Sequence, residues 1–247
     1  MSNKKYVATI EARMSSSRLP GKVLLPAAGK PMLQHLFDRL QQVDTLSDIV
    51  LATTVSEPDN VLEDFARDMG LSCFRGSEDD VLSRVIGAAE QAGADVIVEI
   101  SGDCPVIDPE LIAQCIEIHK NNKADFVSNA AISSYPGGMD VSIFALDVLK
   151  KSESMVKDLL HREHVCLNIV EHPEIFSRLN VIAPPKLNWP ELELLLDEPD
   201  DYELISHLIE HFGDQDPYFD CYKIIDYLRA NPEVRELNGR VKRKGAT

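Results

Sequence analysis

Short runs of β-branched and aliphatic residues alternate with longer amphipathic stretches along this chain, as when strands are separated by helices in a mainly parallel sheet. YVATI, Tyr6 to Ile10, is the first such run. Pro31 suits the first turn of a helix, and Met32, Leu33, Leu36, Phe37 and Leu40 follow it on one face, so a helix is expected there. DIVLATT reads as the second strand and EPDNVLEDFARDMG as the next helix, with Gly70 placed to cap its C-terminus; LSCF is a short third strand. A helix from about Asp79 to Ala92 leads into ADVIVEIS, the most strand-like segment and the one expected at the centre of the sheet.

The second half is patterned less regularly. Pro109 opens a helix running to about Lys120, ADFVSN and MDVSIFAL read as strands, and VKDLLHREHVCLNIVEH reads as one helix with an apolar side. Pro184, Pro185 and Pro190 exclude a long regular element from Ile182 to Trp189. ELELLLD alternates like a strand, and DYELISHLIEHF and YKIIDYLRANP close the pattern as helices. With no repeat, low-complexity tract or linker, residues 1–247 are expected to form a single α/β domain with an elaborated C-terminal half.

Bulk properties narrow the function classes. The chain has 247 residues, 44% hydrophobic and 27% charged, enough for a substantial core. No apolar run approaches the roughly 20 residues that span a bilayer, and MSNKKYVATIEARM lacks the features of a secretory signal, so a cytoplasmic location is expected. Five widely spaced cysteines with no C-x-x-C pair read as reduced, mostly buried thiols. A formal charge of −16 disfavours nucleic acid and anionic membrane as partners, because the summed field repels polyanions. The basic RVKRKGAT end reads as a solvated tail.

Against that acidic background a local cluster of cations carries information. In open α/β sheets ligands bind at the carboxyl ends of strands, and three polar segments stand there: Arg13 to Lys22, SGDCP and LLDEPDD. In the first, Arg13, Arg18 and Lys22 offer cationic donors to phosphate oxygens, with Ser15, Ser16, Ser17 and backbone N–H groups as neutral donors. Pro20 and Gly21 shape a turn that brings Lys22 back toward the strand end. The competing reading is a solvated surface loop, and neither G-x-x-x-x-G-K-[ST] nor G-x-G-x-x-G is present. Asp103 and Asp197 are hard oxygen ligands at two strand ends, a set suited to Mg²⁺ shared with substrate phosphates. Each taken alone reads better as a helix cap, and the metal reading gains only jointly with the basic loop; Asp200 competes with Asp197. His207 and His211 lie four apart on a helix but lack an evident third zinc ligand.

ARMSSSRLPGKVL resembles the A-R-x-x-S-x-R-L-P-G-K signature of sugar-acid cytidylyltransferases, particularly the SpsF-like group and, more distantly, the 3-deoxy-manno-octulosonate and acylneuraminate enzymes. RGSEDDVLSR, GDCPVIDPELI, GGMDV, HREHV and LDEPDDYELI resemble that group's later motifs in order, so the resemblance covers about Tyr6 to Ile209. It implies a Rossmann-like three-layer nucleotidyltransferase fold with a mainly parallel mixed sheet, a homodimer formed through an elaboration at about 129–192, and CTP and an acidic sugar as substrates. Arg13, Arg18 and Lys22 would match the residues holding CTP phosphates, and Ser15 and Ser17 lie in the same loop. Backbone near Ala12, with Arg75 and Ser77, would lie near the base. Asp103 and Asp197 would match the Mg²⁺ carboxylates, while Asp140, Arg162 and His164 would fall on the sugar side. Two other readings are a sugar-1-phosphate nucleotidyltransferase using another NTP and a catalytically silent nucleotide-binding subunit.

Overall fold

The computed structural model describes residues 4–213 and 215–241. The chain runs β1 (Tyr6–Glu11), a two-residue hairpin of β2 (Pro26–Ala27) and β3 (Lys30–Pro31), α1 (Met32–Leu40), β4 (Asp48–Thr54), α2 (Asn60–Asp68), β5 (Ser72–Gly76), α3 (Val81–Gln91), β6 (Val96–Ser101) and α4 (Pro109–Asn121). It continues with β7 (Phe126–Ser128), β8 (Ser142–Ala145), α5 (Leu146–Met155), α6 (Leu159–Glu163), α7 (Leu167–Glu171), β9 (Arg178–Asn180), α8 (Pro199–Gly213), α9 (Cys221–Ala230) and α10 (Pro232–Arg235). Seven strands form one sheet in the order β5-β4-β1-β6-β8-β7-β9, in which β6 holds the middle place. Only β8 runs against its neighbours, so the sheet is mixed and mainly parallel.

Both faces of the sheet are covered, which explains why its central strands read as nearly continuous apolar runs. Tyr6, Ala8 and Ile10 of β1 enter one core with α1, α2, α4, α8 and α9. Val7 enters a second core with α3, α5 and α7. The structure is thus a three-layer sandwich with β1 and β6 at its centre. Capping follows the sequence: Asp80 accepts from the Ser83 amide at 2.9 Å ahead of α3, and Asp108 from the Glu110 amide at 2.9 Å ahead of α4. Gly70 stands past the end of α2 with φ 68°, in the cap position expected.

Three segments of the second half depart from their patterns. MDVSIFAL supplies a strand of only four residues, after which Leu146 begins α5. VKDLLHREHVCLNIVEH is not one helix: Asp158 caps α6 through the His161 amide, and His164 leaves helical geometry at φ −101° and ψ 92° before α7. ELELLLD buries Leu192, Leu194 and Leu196 as its alternation demands, yet pairs with the rest only through an isolated bridge between Gly137 and Glu193. Its backbone bonds instead to the Gly137 turn and to Asp103. β9 is three residues with no readable alternation.

All five cysteines are free. His207 and His211 stack on Tyr227 of α9, with His207 Nε2 2.7 Å from the tyrosine hydroxyl. No helix among the described residues is long and apolar enough to cross a membrane. Most of the basic RVKRKGAT segment, residues 242–247, lies outside the described residues.

Candidate active site

β1 and β6 end side by side, with Glu11 in register with Ser101, and the chain leaves both ends toward one cavity of about 550 Å³. After β1 the loop turns back on itself. The Gly21 amide donates to the Met14 carbonyl at 3.0 Å and the Leu19 amide to Ser16 Oγ at 3.3 Å. Gly21 itself sits at φ 68°, a left-handed conformation that favours glycine. This closure returns Lys22 to the strand end, as the Pro20–Gly21 pair suggests.

After β6 the turn must pass close to β1. A Cβ at Gly102 would stand 2.6 Å from the Glu11 carbonyl oxygen, so only glycine lets the Gly102 amide donate to that carbonyl at 2.9 Å. Asp103 is thereby set beside the loop, and its own carbonyl accepts from the Leu196 amide at 2.9 Å. That bond brings the next residue, Asp197, to the same point. Asp201, fully buried at the start of α8, accepts from the Asp197 and Glu198 amides at 3.2 and 2.9 Å and from Asn238 Nδ2 at 2.8 Å.

Lys22 Nζ lies 2.6 Å from Asp103 Oδ2 and 3.0 Å from Asp197 Oδ1. Arg18 pairs with the other oxygen of Asp197, and Ser101 Oγ donates to Asp103 Oδ1 at 2.6 Å. Burial works against the Lys22 ammonium, but the two aspartates outweigh it and hold its pKa above the ordinary value. Neither aspartate is a helix cap. Asp200 is exposed, so the acid that reaches the loop from this segment is Asp197.

Ala12, Arg13, Ser17, Arg18, Lys22, Asp103, Asp197 and His164 all line the cavity. Ser15 stands just outside, donating to Glu78 Oε1 at 2.6 Å, and Arg13 approaches the same oxygen at 3.5 Å. Hydrogen bonds from Ser15 and Ser56 hold the Glu78 carboxyl below the usual range.

Besides Ser15, four of the sequence-predicted residues lie away from the lining. The Arg75 guanidinium is bound to the Thr54 and Ser56 carbonyls at 2.8 and 2.9 Å and to Asn60 and Glu63 at 2.7 and 2.8 Å, which ties β4 to α2. Ser77 Oγ accepts from the Asp80 amide at 3.1 Å. Arg162 bridges Asp80 and Glu153 at 3.2 and 2.9 Å. Asp140 borders a second cavity of about 280 Å³ with Asn129, Tyr135 and Glu193, which meets the first at Leu195. Conversely, Glu11, Glu78, Arg84, Ser101 and Leu159 line the main cavity without having been singled out. Glu11 is the polar end of an otherwise apolar strand, a signal that was present in IEAR.

Comparison with known proteins agrees with this layout. A family profile described as cytidylyltransferase matches residues 7–220. The spore coat polysaccharide biosynthesis protein SpsF of Bacillus subtilis is 32% identical over 91% of this chain and 94% of its own. A 3-deoxy-manno-octulosonate cytidylyltransferase of Trichlorobacter lovleyi is 37% identical over 46% of this chain and 44% of its own. A solved cytidylyltransferase structure from Leptospira borgpetersenii superposes with a TM-score of 0.90 at 29% identity, covering 98% of this chain and 100% of that one. The order of its motifs, the three-layer sheet and the profile match over most of its length agree: this chain belongs to the cytidylyltransferase family.

Proposed function

We propose that the protein couples CTP to an acidic sugar of the 3-deoxy-ulosonic or nonulosonic type, giving a CMP-sugar and pyrophosphate. One observation carries the reading: Lys22 bridges Asp103 and Asp197 on the lining of the cavity, with Arg18 on the other oxygen of Asp197. Cations from the loop and carboxylates from two other segments therefore meet at one point, as a triphosphate with a divalent ion requires. A sugar hydroxyl attacks the α-phosphorus in line, an O–P bond forms, and the bond from that phosphorus to the bridging oxygen breaks. The departing pyrophosphate takes the electron pair, and the hydroxyl proton leaves to solvent or a base. Arg18 and Lys22 stabilise the charge that grows on the leaving oxygens, which is where fixed cations lower the barrier most. Arg13 and Ser17 supply further donors along the same loop.

The donor set fits Mg²⁺, since two hard carboxylates converge where phosphate oxygens would complete the ligand sphere. Asp103 and Asp197 would hold it, and when bound it neutralises charge at the transferred phosphate. In the free protein Lys22 and Arg18 satisfy these same carboxylates, so nucleotide phosphates must draw the two cations away for the carboxylates to serve a metal. On the sugar side, His164 borders the cavity and Asp140 the adjoining one.

Pairing of two copies through residues 129–192 belongs to the same reading. Tyr135 and Phe144 there are core residues, whereas Ile132, Leu159, Leu160 and Ile182 are exposed apolar side chains able to cover one another. Sedimentation should find a dimer that Leu159→Glu with Leu160→Glu dissociates; a monomeric wild-type protein rejects it. The activity test is pyrophosphate release from CTP, Mg²⁺ and a panel of acidic sugars, with calorimetry for CTP. Silence across the panel together with no CTP binding overturns the reading.

A further inference from the structure

The cation loop forms one wall of the cavity, and Glu11, Glu78 and Arg84 form the other, on the α3 side. Glu11 and Arg84 make no bond to the loop among the described residues, and Glu99, on the strand beside Glu11, accepts from Cys166 Sγ at 2.8 Å. The loop is anchored instead from a third place, the turn between β4 and α2. Asp59 in that turn is 1% exposed and does not line the cavity. Its Oδ1 accepts from the Met14 amide at 2.7 Å and its Oδ2 from the Thr54 hydroxyl. Thr54 Oγ1 in turn accepts from the Ser56 amide at 3.1 Å, Ser56 Oγ donates to Glu78 Oε2 at 3.0 Å, and Ser15 donates to the other oxygen of Glu78. The chain of bonds from Met14 through Asp59, Thr54, Ser56 and Glu78 to Ser15 therefore closes into a ring. Arg75 braces that ring from behind, since it binds the Thr54 and Ser56 carbonyls.

Met14 is the pivot of the loop. Its carbonyl accepts from the Gly21 amide at 3.0 Å, the bond that returns Lys22 to the strand end, and its amide is the one that Asp59 takes. The amides of Ser15, Ser16, Ser17 and Arg18 have no partner among the described residues, which leaves them for phosphate oxygens. We propose that Asp59 is the positioning residue of the phosphate-binding loop: by holding the Met14 peptide it fixes how these amides and the loop cations are presented. The inference rests on the cytidylyltransferase reading above and adds to it a residue that touches no ligand.

A carboxylate suits this place. A charged acceptor makes a stronger bond to an amide than a neutral one does, and its second oxygen can take the Thr54 hydroxyl at the same time. Nucleotide affinity then depends on how much of the loop is ordered before the ligand arrives, because any ordering left to the ligand subtracts from its binding. The more phosphates a nucleotide offers the loop, the larger that subtraction becomes.

The test uses the full chain, Mg²⁺, CTP and CMP, with calorimetry at a temperature where melting curves show every variant folded. Asp59→Ala should weaken CTP binding about tenfold and CMP binding by less than about threefold, since CMP has a single phosphate to lose contacts from. Asp59→Asn keeps an oxygen for the Met14 amide, and the Thr54 hydroxyl can accept from the new side-chain amide, so CTP affinity should return to within about threefold of wild type. Thr54→Val removes only the hydroxyl that steadies the carboxylate and should weaken CTP about threefold, again more than CMP. A purely structural role would lower the number of sites titrated and leave the dissociation constants alone. Unchanged CTP affinity in Asp59→Ala, an equal loss for CTP and CMP, or an Asn variant as weak as the Ala variant overturns the proposal. CTP binding by wild type with the variants unaffected removes this inference and keeps the cytidylyltransferase reading; absence of CTP binding by wild type removes both. Should Asp59→Ala fail to fold, Thr54→Val decides by whether its loss for CTP exceeds that for CMP.

Discussion

The two walls of the cavity spring from the same pair of strands and treat their charges in opposite ways. On the loop wall Lys22, Arg18, Asp103 and Asp197 satisfy one another within hydrogen-bond distance. On the α3 wall Glu11 Oε1 and Arg84 Nε are buried with no partner. Buried polar atoms are costly to leave unpaired, roughly 1–3 kcal/mol each. The loop wall is thus stable without ligand and must exchange its internal pairs to bind one, whereas the α3 wall carries a standing cost. Affinity on the first wall depends on what displaces the ion pairs.

The strongest way to break this comparison is to remove a member of the loop wall. Asp103→Ala or Arg18→Ala should lower turnover by a factor of about 100 or more, because charge stabilisation at transferred and leaving oxygens is lost. Thermal melting should change little for Arg18, which is a third exposed. Normal turnover in either variant would detach the chemistry from this wall. Lys22→Met sharpens the same point. With the bridging ammonium gone, Asp103 and Asp197 are left facing each other, so Mn²⁺ should bind without nucleotide about tenfold more tightly by calorimetry or paramagnetic resonance even as turnover collapses. Unchanged or weaker Mn²⁺ binding would show that Lys22 does not compete for the metal position.

What could be read from the sequence follows the same division. The apolar runs of β1, β4 and β6 are buried on both faces, and burial leaves a plain mark on composition; the fold was therefore legible there. The Pro20–Gly21 turn and the cations of the loop were legible because backbone geometry and phosphate chemistry each restrict residue choice. By contrast, Leu192, Leu194 and Leu196 alternate like a strand because they are buried on one side, yet their backbone partners are turns at Gly137 and Asp103 that no local pattern announces. Arg75 shows the reverse failure. A cationic side chain in a motif suggests a ligand contact, but its donors go to four protein oxygens within β4, α2 and the turn between them. Glu11 and Glu99 lie 88 positions apart and meet only through strand register, which single-segment patterns do not encode.

A smaller effect is expected one step behind the loop wall. Asp201 does not itself line the cavity but fixes Asp197 and Glu198 through their amides. Asp201→Asn keeps the shape and weakens those charge-assisted bonds, so kcat should fall by a factor of about 10 with little change in the KM for CTP, and stability by about 1–3 kcal/mol. A drop in stability with kcat intact would make Asp201 a purely structural residue.

The mildest test concerns the α3 wall without any ligand. Glu99 has a folded pKa near 7 against an ordinary 4.5, so the folded protein holds a proton there that the unfolded chain releases. Its contribution is neutral below pH 4.5, becomes increasingly destabilising as pH rises from 4.5 to about 7 and levels off above that, because the unfolded chain releases its proton before the folded one does. Glu99→Gln keeps an acceptor for the Cys166 thiol and removes that penalty. The variant should match wild type near pH 4 and melt a few degrees higher at pH 8, a gain of at most about 3 kcal/mol. Equal melting at both pH values would mean that Glu99 titrates normally, and the contrast between a satisfied wall and a strained one would then rest on Glu11 and Arg84 alone.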